Sequence, residues 1–302
     1  IGMISGLIQI FGGTLGILTG GWLADTLMKR GVRNNKTMVG LIACVAWFPF
    51  GLAFPLMNSP LLAFIFLALA NTIAAMIMEP ILGAGGVIPP HKSFAPMVQD
   101  ICNRHGILLI TDEVITAYGR TGAWSGARLW GIQPDMMCTA KAITNGFFPF
   151  GAVMLGHKMV EAFEDNPAAK IAHGYTYSGH PVGAAAALAC LAETRRLNVV
   201  DNAAARGDQL FEGCNALMAK YDIIGDVRGG HGLMTAIEMV SDRATKKPID
   251  AATTAIVQEV AYQNGAMIRI SGPNLILSPS LVLSEADAAT ILSAIDAGFA
   301  AV

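Results

Sequence analysis

Hydrophobic and polar positions divide the chain unevenly. Between Lys36 and Glu79 there is no charged side chain, whereas after Glu79 acids and bases recur at ordinary spacing. The early part holds three apolar runs, residues 1–24, 37–57 and 61–78, separated by a charged loop at 25–36 and by the turn Asn58-Ser59-Pro60. Each run is close to the roughly 20 residues that a helix needs to cross a bilayer, so about three membrane-type helices are expected. The seven glycines of the first run, from Gly2 to Gly21, would weaken a helix in water but let helices approach closely in lipid.

Beyond Glu79 short apolar runs alternate with amphipathic stretches, the pattern of an α/β layer architecture. Residues 107–110 and 136–139 are continuous apolar runs that read as buried parallel strands, the first ending in Thr111-Asp112-Glu113 and the second at Ala140-Lys141. Ligand-binding groups of open α/β sheets gather at the carboxyl ends of strands, which is where Asp112 and Lys141 fall. Residues 183–191 and 202–220 are expected to be helical. Asp250 reads as the N-cap of a helix closing at Gly265, 266–270 and 275–277 as short strands, and Ser284-Glu285-Ala286-Asp287 as the capped start of a last helix.

Composition sharpens this division. Of 302 residues 53% are hydrophobic and only 14% charged, too apolar for an ordinary soluble enzyme, and the excess sits before residue 78. The net charge of -2 provides no basic field for nucleic acid, which is excluded as a partner. Five scattered cysteines form neither a CxxC nor a Cys/His metal spacing and suit a reducing compartment; no metal site is expected. The chain opens at Ile1 without a basic n-region or a cleavage site, which reads as an absent natural start rather than a signal peptide.

The loop GGWLADTLMKRGVRNNK, with Gly21 and Asp25 leading and Lys29, Arg30 and Arg33 following, resembles the short cytoplasmic loop of major facilitator superfamily transporters. The resemblance covers residues 1–77 and implies a transmembrane, transporter-like fragment that associates with a membrane. With the basic loop in the cytoplasm, two further crossings bring the remainder of the chain to the same side, as a cytoplasmic portion. No spacer separates the two parts.

The stretches LLITDEVITAYGRTGAWSG and PDMMCTAKAITNGFFPFGAVMLG resemble the cofactor-site signature of class III pyridoxal-phosphate-dependent aminotransferases, closest to the omega-amino-acid:pyruvate group. The likeness continues through HGYTYSGHPVGAAAALA, IGDVRGGHGLM and MIRISGPNLILSPSL. It implies an α/β fold with an incomplete, mostly parallel large domain at 78–240 and a small C-terminal α+β domain at 241–302. It also implies pyridoxal 5'-phosphate as cofactor, an omega-amino acid or amine as donor, pyruvate or another keto acid as acceptor, and a homodimer. Lys141 becomes the Schiff-base lysine and Asp112 the acid that keeps the ring nitrogen protonated, without which the ring cannot withdraw electrons. Val114 would press on the ring face, Thr176 would reach the phosphate from the neighbouring subunit, and Arg269 would pair with the substrate carboxylate through its two parallel donors. Arg120 and His180 are given structural roles.

The family's phosphate-cradling Gly-Ser-rich loop and its ring-stacking aromatic residue have no counterpart before Lys141; the run Gly83-Ala84-Gly85-Gly86 matches a later family loop. By itself the chain is therefore expected to be inert. Two other readings stand beside this one: a membrane fragment derived from a transporter, and a chimera with neither activity.

Overall fold

In the computed structural model the described residues are 75–302, apart from Pro167 and Ala172. The first two apolar runs and the transporter-like loop lie outside them, as does most of the third. The last four residues of that third run, Ala75–Met78, form a strand, β1, rather than the end of a helix. Among the described residues no helix is long and apolar enough to cross a membrane.

β1 opens a four-stranded sheet with β2 (Leu108–Asp112), β3 (Met136–Thr139) and β4 (Ala152–Leu155), ordered β1-β2-β3-β4. β2 and β3 are parallel, with Asp112 opposite Cys138, but β3 and β4 are antiparallel, so the sheet is mixed where a mostly parallel one was expected. The connection, residues 140–151, carries the turn at Lys141–Ile143 and no long helix, and returns the chain antiparallel. α1 (Phe94–His105) packs on β2 and stops at Gly106, whose left-handed φ of 65° lets the Ile107 N–H reach Cys102 O at 2.9 Å. A core of Met78, Ala95, Cys102, Leu109, Ala127 and Ile132 forms beneath.

Next come a short helix α2 (Gly126–Leu129), α3 (His157–Glu164), α4 (Pro181–Arg196) and the 22-residue α5 (Val199–Lys220). Proline at the first position of α4 gives up no intrahelical hydrogen bond, and an alanine-rich body sustains the helix. A second sheet is antiparallel throughout, in the order β5 (Ile224–Arg228), β6 (Thr235–Asp242), β9 (Asn274–Leu277), β8 (Arg269–Ser271), with β7 (Lys247–Pro248) paired to β6. β6 runs through residue 240, where the sequence placed a domain boundary, and the sheet shares one core with α5.

α6 (Ala251–Gln263) and α7 (Glu285–Ala300) cover that sheet, and their starts are written in the sequence. Asp250 accepts the Thr253 N–H at 2.8 Å, and Ser284 and Asp287 cap each other reciprocally. The two helices cross closely at Gly298, where a Cβ would stand 2.7 Å from Val257 O. Ile237, Met239, Val257, Leu275, Ile295 and Phe299 make the centre of the core.

Candidate active site

β2 alternates strictly: Leu109 and Thr111 are buried, while Leu108, Ile110 and Asp112 are partly exposed. A period of two therefore turns Asp112 toward the open face of the strand end and its neighbour Glu113 into the interior. The Asp112 carboxylate accepts the Val114 N–H on Oδ1 at 3.0 Å, and among the described residues Oδ2 makes no hydrogen bond. The Glu113 N–H donates to Cys138 O at 2.9 Å, carrying the pairing of β2 and β3 one residue past Asp112.

On the neighbouring strand, Lys141 begins a 3-10 turn, Lys141–Ile143, directly after β3. Its φ is 46°, the left-handed region that a side chain with a Cβ rarely takes. Such conformations cost free energy and concentrate where function requires a particular placement. The Lys141 side chain is exposed, and its amine has no hydrogen-bond or ion-pair partner among the described residues. Cys138, three residues earlier, is the register partner of Asp112, and its thiol is pushed up by burial and also by that carboxylate's negative charge.

The loop after β2 supports this pair. Tyr118, at φ 59°, donates from its hydroxyl to Thr139 Oγ1 at 3.2 Å, and Thr139 donates in turn to Ala152 O at 3.3 Å. Arg120 is the structural hydrogen-bonding residue the sequence led one to expect. Its Nη1 donates to Leu233 O at 3.0 Å and to Pro279 O at 2.7 Å, joining this loop to the second sheet. Burial pushes its pKa down to about 10, which leaves it charged at neutral pH.

Sequence-predicted residues are not all gathered in one place. Asp112, Val114 and Lys141 share the carboxyl ends of β2 and β3, with Val114 half-buried beside the acid. Thr176 is exposed in a turn that opens where Tyr175 N–H meets Ser178 Oγ at 3.1 Å. Beside it lies a cavity of about 580 Å³, walled by Phe148, Phe150, Tyr175, Tyr177 and His180. His180 Nδ1 is buried there with no hydrogen-bond partner among the described residues, its ring 5.0 Å from that of Phe148. Arg269 is exposed on β8, and among the described residues no hydrogen bond or ion pair joins it or Thr176 to Asp112 or Lys141.

Two residues given no role in the sequence reading organise the surroundings. Arg228 donates to Gly86 O at 3.1 Å and to Asn274 Oδ1 and pairs with Glu238, while Ser271 Oγ donates to Ala84 O at 3.3 Å. Together they tie the hairpin bearing Arg269 to the loop after β1. The other is Glu113, fully buried. Its signal was available: an acid falling on the covered side of an alternating strand needs partners.

Comparison with known proteins identifies the family. The family model for Aminotransferase class-III matches residues 57–299, and the chain belongs to that family. The match opens at Met57 and so includes the apolar run at 61–78. Taurine–pyruvate aminotransferase of Bilophila wadsworthia is 38% identical over 242 residues, covering 77% of this chain and 53% of the relative. Putrescine–pyruvate aminotransferase of Pseudomonas aeruginosa is 36% identical over 214 residues, 70% of this chain and 46% of the relative. Among solved structures, the pyridoxal-phosphate-bound amine transaminase of an uncultivated Pseudomonas species superposes with a TM-score of 0.74 at 44% identity, covering 80% of this chain and 55% of that one. An (S)-enantioselective omega-transaminase from Thermomicrobium roseum gives 0.72 at 35% identity, over 77% and 52% of the two chains. The chain spans about half the length of these relatives.

Proposed function

We propose that this chain carries the lysine and ring-nitrogen acid of a pyridoxal-phosphate-dependent transaminase that moves an amino group between an omega-amino acid or amine and pyruvate or another keto acid. The observation that carries the reading is that a carboxylate oxygen, Asp112 Oδ2, and an amine, Lys141 Nζ, both without partners among the described residues, stand at the ends of adjacent parallel strands. That donor set fits the cofactor, which needs an anion at its ring nitrogen and a primary amine for its aldehyde. When bound, the cofactor supplies a ring that withdraws electrons from the carbon bearing the transferred nitrogen.

Each residue's task follows from its chemistry. Asp112 holds a proton at the ring nitrogen, because a carboxylate beside a protonated nitrogen favours the charged form. Lys141 Nζ, as a free amine, would accept the proton from the substrate carbon as general base and, as general acid, would deliver it to a different carbon. Val114 limits the ring from one side. Arg269 orients the keto acid through a bidentate pair with its carboxylate. Thr176, exposed on its turn, supplies a hydroxyl to the phosphate across a homodimer. Taurine and putrescine, named in two relatives, both carry a terminal primary amine, which favours the same donor class here.

By itself the chain binds the cofactor weakly and does not turn over, because the phosphate cradle has no counterpart in its sequence. Hydrogen bonds to charged groups contribute roughly 1.5–3 kcal/mol each, so the loss of several weakens binding by orders of magnitude. The test is equilibrium binding of pyridoxal phosphate to the purified chain, with turnover of β-alanine, taurine or putrescine against pyruvate measured in parallel. Weak saturable binding that needs Lys141 and falls further in Asp112→Asn is expected, without turnover. Binding unaltered by either substitution would remove the assignment, and turnover abolished by Lys141→Ala would overturn the inertness.

A further inference from the structure

Glu113 takes no part in the chemistry assigned to Asp112 and Lys141, yet it is the fully buried carboxylate of the β2 end. Both of its oxygens accept. Thr116 donates its hydroxyl to Oε2 at 2.5 Å, the Gly126 N–H donates to Oε2 at 2.7 Å, and the Ala127 N–H donates to Oε1 at 2.6 Å. The last two donors are the first backbone groups of α2, which have no partner within the helix, so Glu113 joins the two ends of the loop that leaves β2. At Gly126 a Cβ would stand 2.4 Å from Pro80 Cβ and 3.2 Å from Glu113 Oε2, so glycine is what lets the backbone come this close.

We propose that Glu113 is the positioning residue for Asp112: its anchored carboxylate fixes the end of β2 in the register that leaves Asp112 Oδ2 turned toward the ring nitrogen. Consecutive strand residues point to opposite faces, so Asp112 cannot roll away from the open face unless Glu113 leaves its donors. The peptide between them is held as well, by the bond from Glu113 N–H to Cys138 O. Asp112 Oδ1 is occupied by Val114 N–H, and the strand end is thereby fixed on three sides with one oxygen left free. The inference rests on Asp112 being the ring-nitrogen acid, but its test needs no cofactor, so the two can fail separately.

Cys138 is the reporter. It is the register partner of Asp112, and its thiol is pushed up by burial and by that carboxylate's charge. In the cofactor-free full chain at pH 8, the alkylation rate of the Cys138 peptide is compared across variants. Asp112→Asn removes the negative charge that opposes thiolate formation and raises the rate by about threefold. Glu113→Gln, which keeps the shape but loses an acceptor, raises it in the same direction, and the double variant matches Asp112→Asn alone. Thr116→Val, which removes one of the three donors, gives a smaller rise and decides the question by the same criteria if Glu113→Gln fails to fold. A Cys138 rate equal to that of the unaltered chain, with only the melting temperature lowered, would show that Glu113 is merely structural. A parallel rise at Cys190 would mean general loosening, and a double variant exceeding Asp112→Asn would mean that Glu113 reaches the thiol independently. Either result overturns the proposal.

Discussion

Replacing Lys141 by glycine removes the proposed catalytic amine and, with it, a backbone strain. At φ 46° a residue with a Cβ stands against its own carbonyl, at a cost of about 1–2 kcal/mol that glycine does not bear. Glycine also gains freedom in the unfolded chain, which takes back about 0.5–1 kcal/mol. The net expectation is that Lys141→Gly is more stable than Lys141→Ala by about 0.5–1 kcal/mol, since alanine keeps the Cβ and the exposed lysine side chain has no partner among the described residues. For a protein of this size that is about 1–3 °C in Tm. Urea titrations and thermal melts of the two variants, with unaltered protein as reference, give the comparison. If Lys141→Gly melts below Lys141→Ala, the left-handed turn is not a strained one held for the position of the amine, and the argument from strain to function fails.

Two further expectations concern the scaffold. Arg120→Met leaves Leu233 O and Pro279 O without their donor and should cost about 2–4 kcal/mol in urea unfolding, with Arg120→Lys recovering part; a loss under about 1 kcal/mol would show that the buried guanidinium does not join the loop to the second sheet. Cys214 is wholly buried and its thiol is pushed up to about 12 by that burial, so at pH 8 iodoacetamide should label the partly exposed Cys190 while sparing Cys214 until the protein unfolds; equal rates on the two peptides would contradict the packing of α5 on the second sheet.

What the sequence disclosed depended on how each element announces itself. The run at 136–139 was legible as a strand because it is short, apolar and ends at Ala140-Lys141, and the structure has β3 at Met136–Thr139. The capped starts at Asp250 and Ser284 were legible because a cap is a local contact between residues three apart. The stretch ending at Met78 was ambiguous, since an unbroken apolar run suits a membrane helix and a buried strand equally; only its pairing beside β2 makes Ala75–Met78 a strand. Strand direction was not legible either, because whether β4 returns antiparallel depends on tertiary pairing. At the site, Asp112 and Lys141 stood out through the family resemblance of the stretches that hold them, with their positions after apolar runs in support, whereas Glu113 looked like one more boundary charge. Its importance lies in donors 13 and 14 residues further along, which no local pattern records. Arg228 was hidden for the same reason, reaching 142 residues back to Gly86.

The central claim, that Lys141 is the amine that holds pyridoxal phosphate, is tested most directly by borohydride trapping. The purified chain is incubated with the cofactor, reduced and digested, and the modified peptide is identified by mass. The account predicts a reduced pyridoxyl adduct on the peptide containing Lys141, greatly diminished by Asp112→Asn and absent in Lys141→Ala. An adduct spread evenly over exposed lysines such as Lys92, Lys158 and Lys247, or one that persists at equal yield in Lys141→Ala, would contradict it.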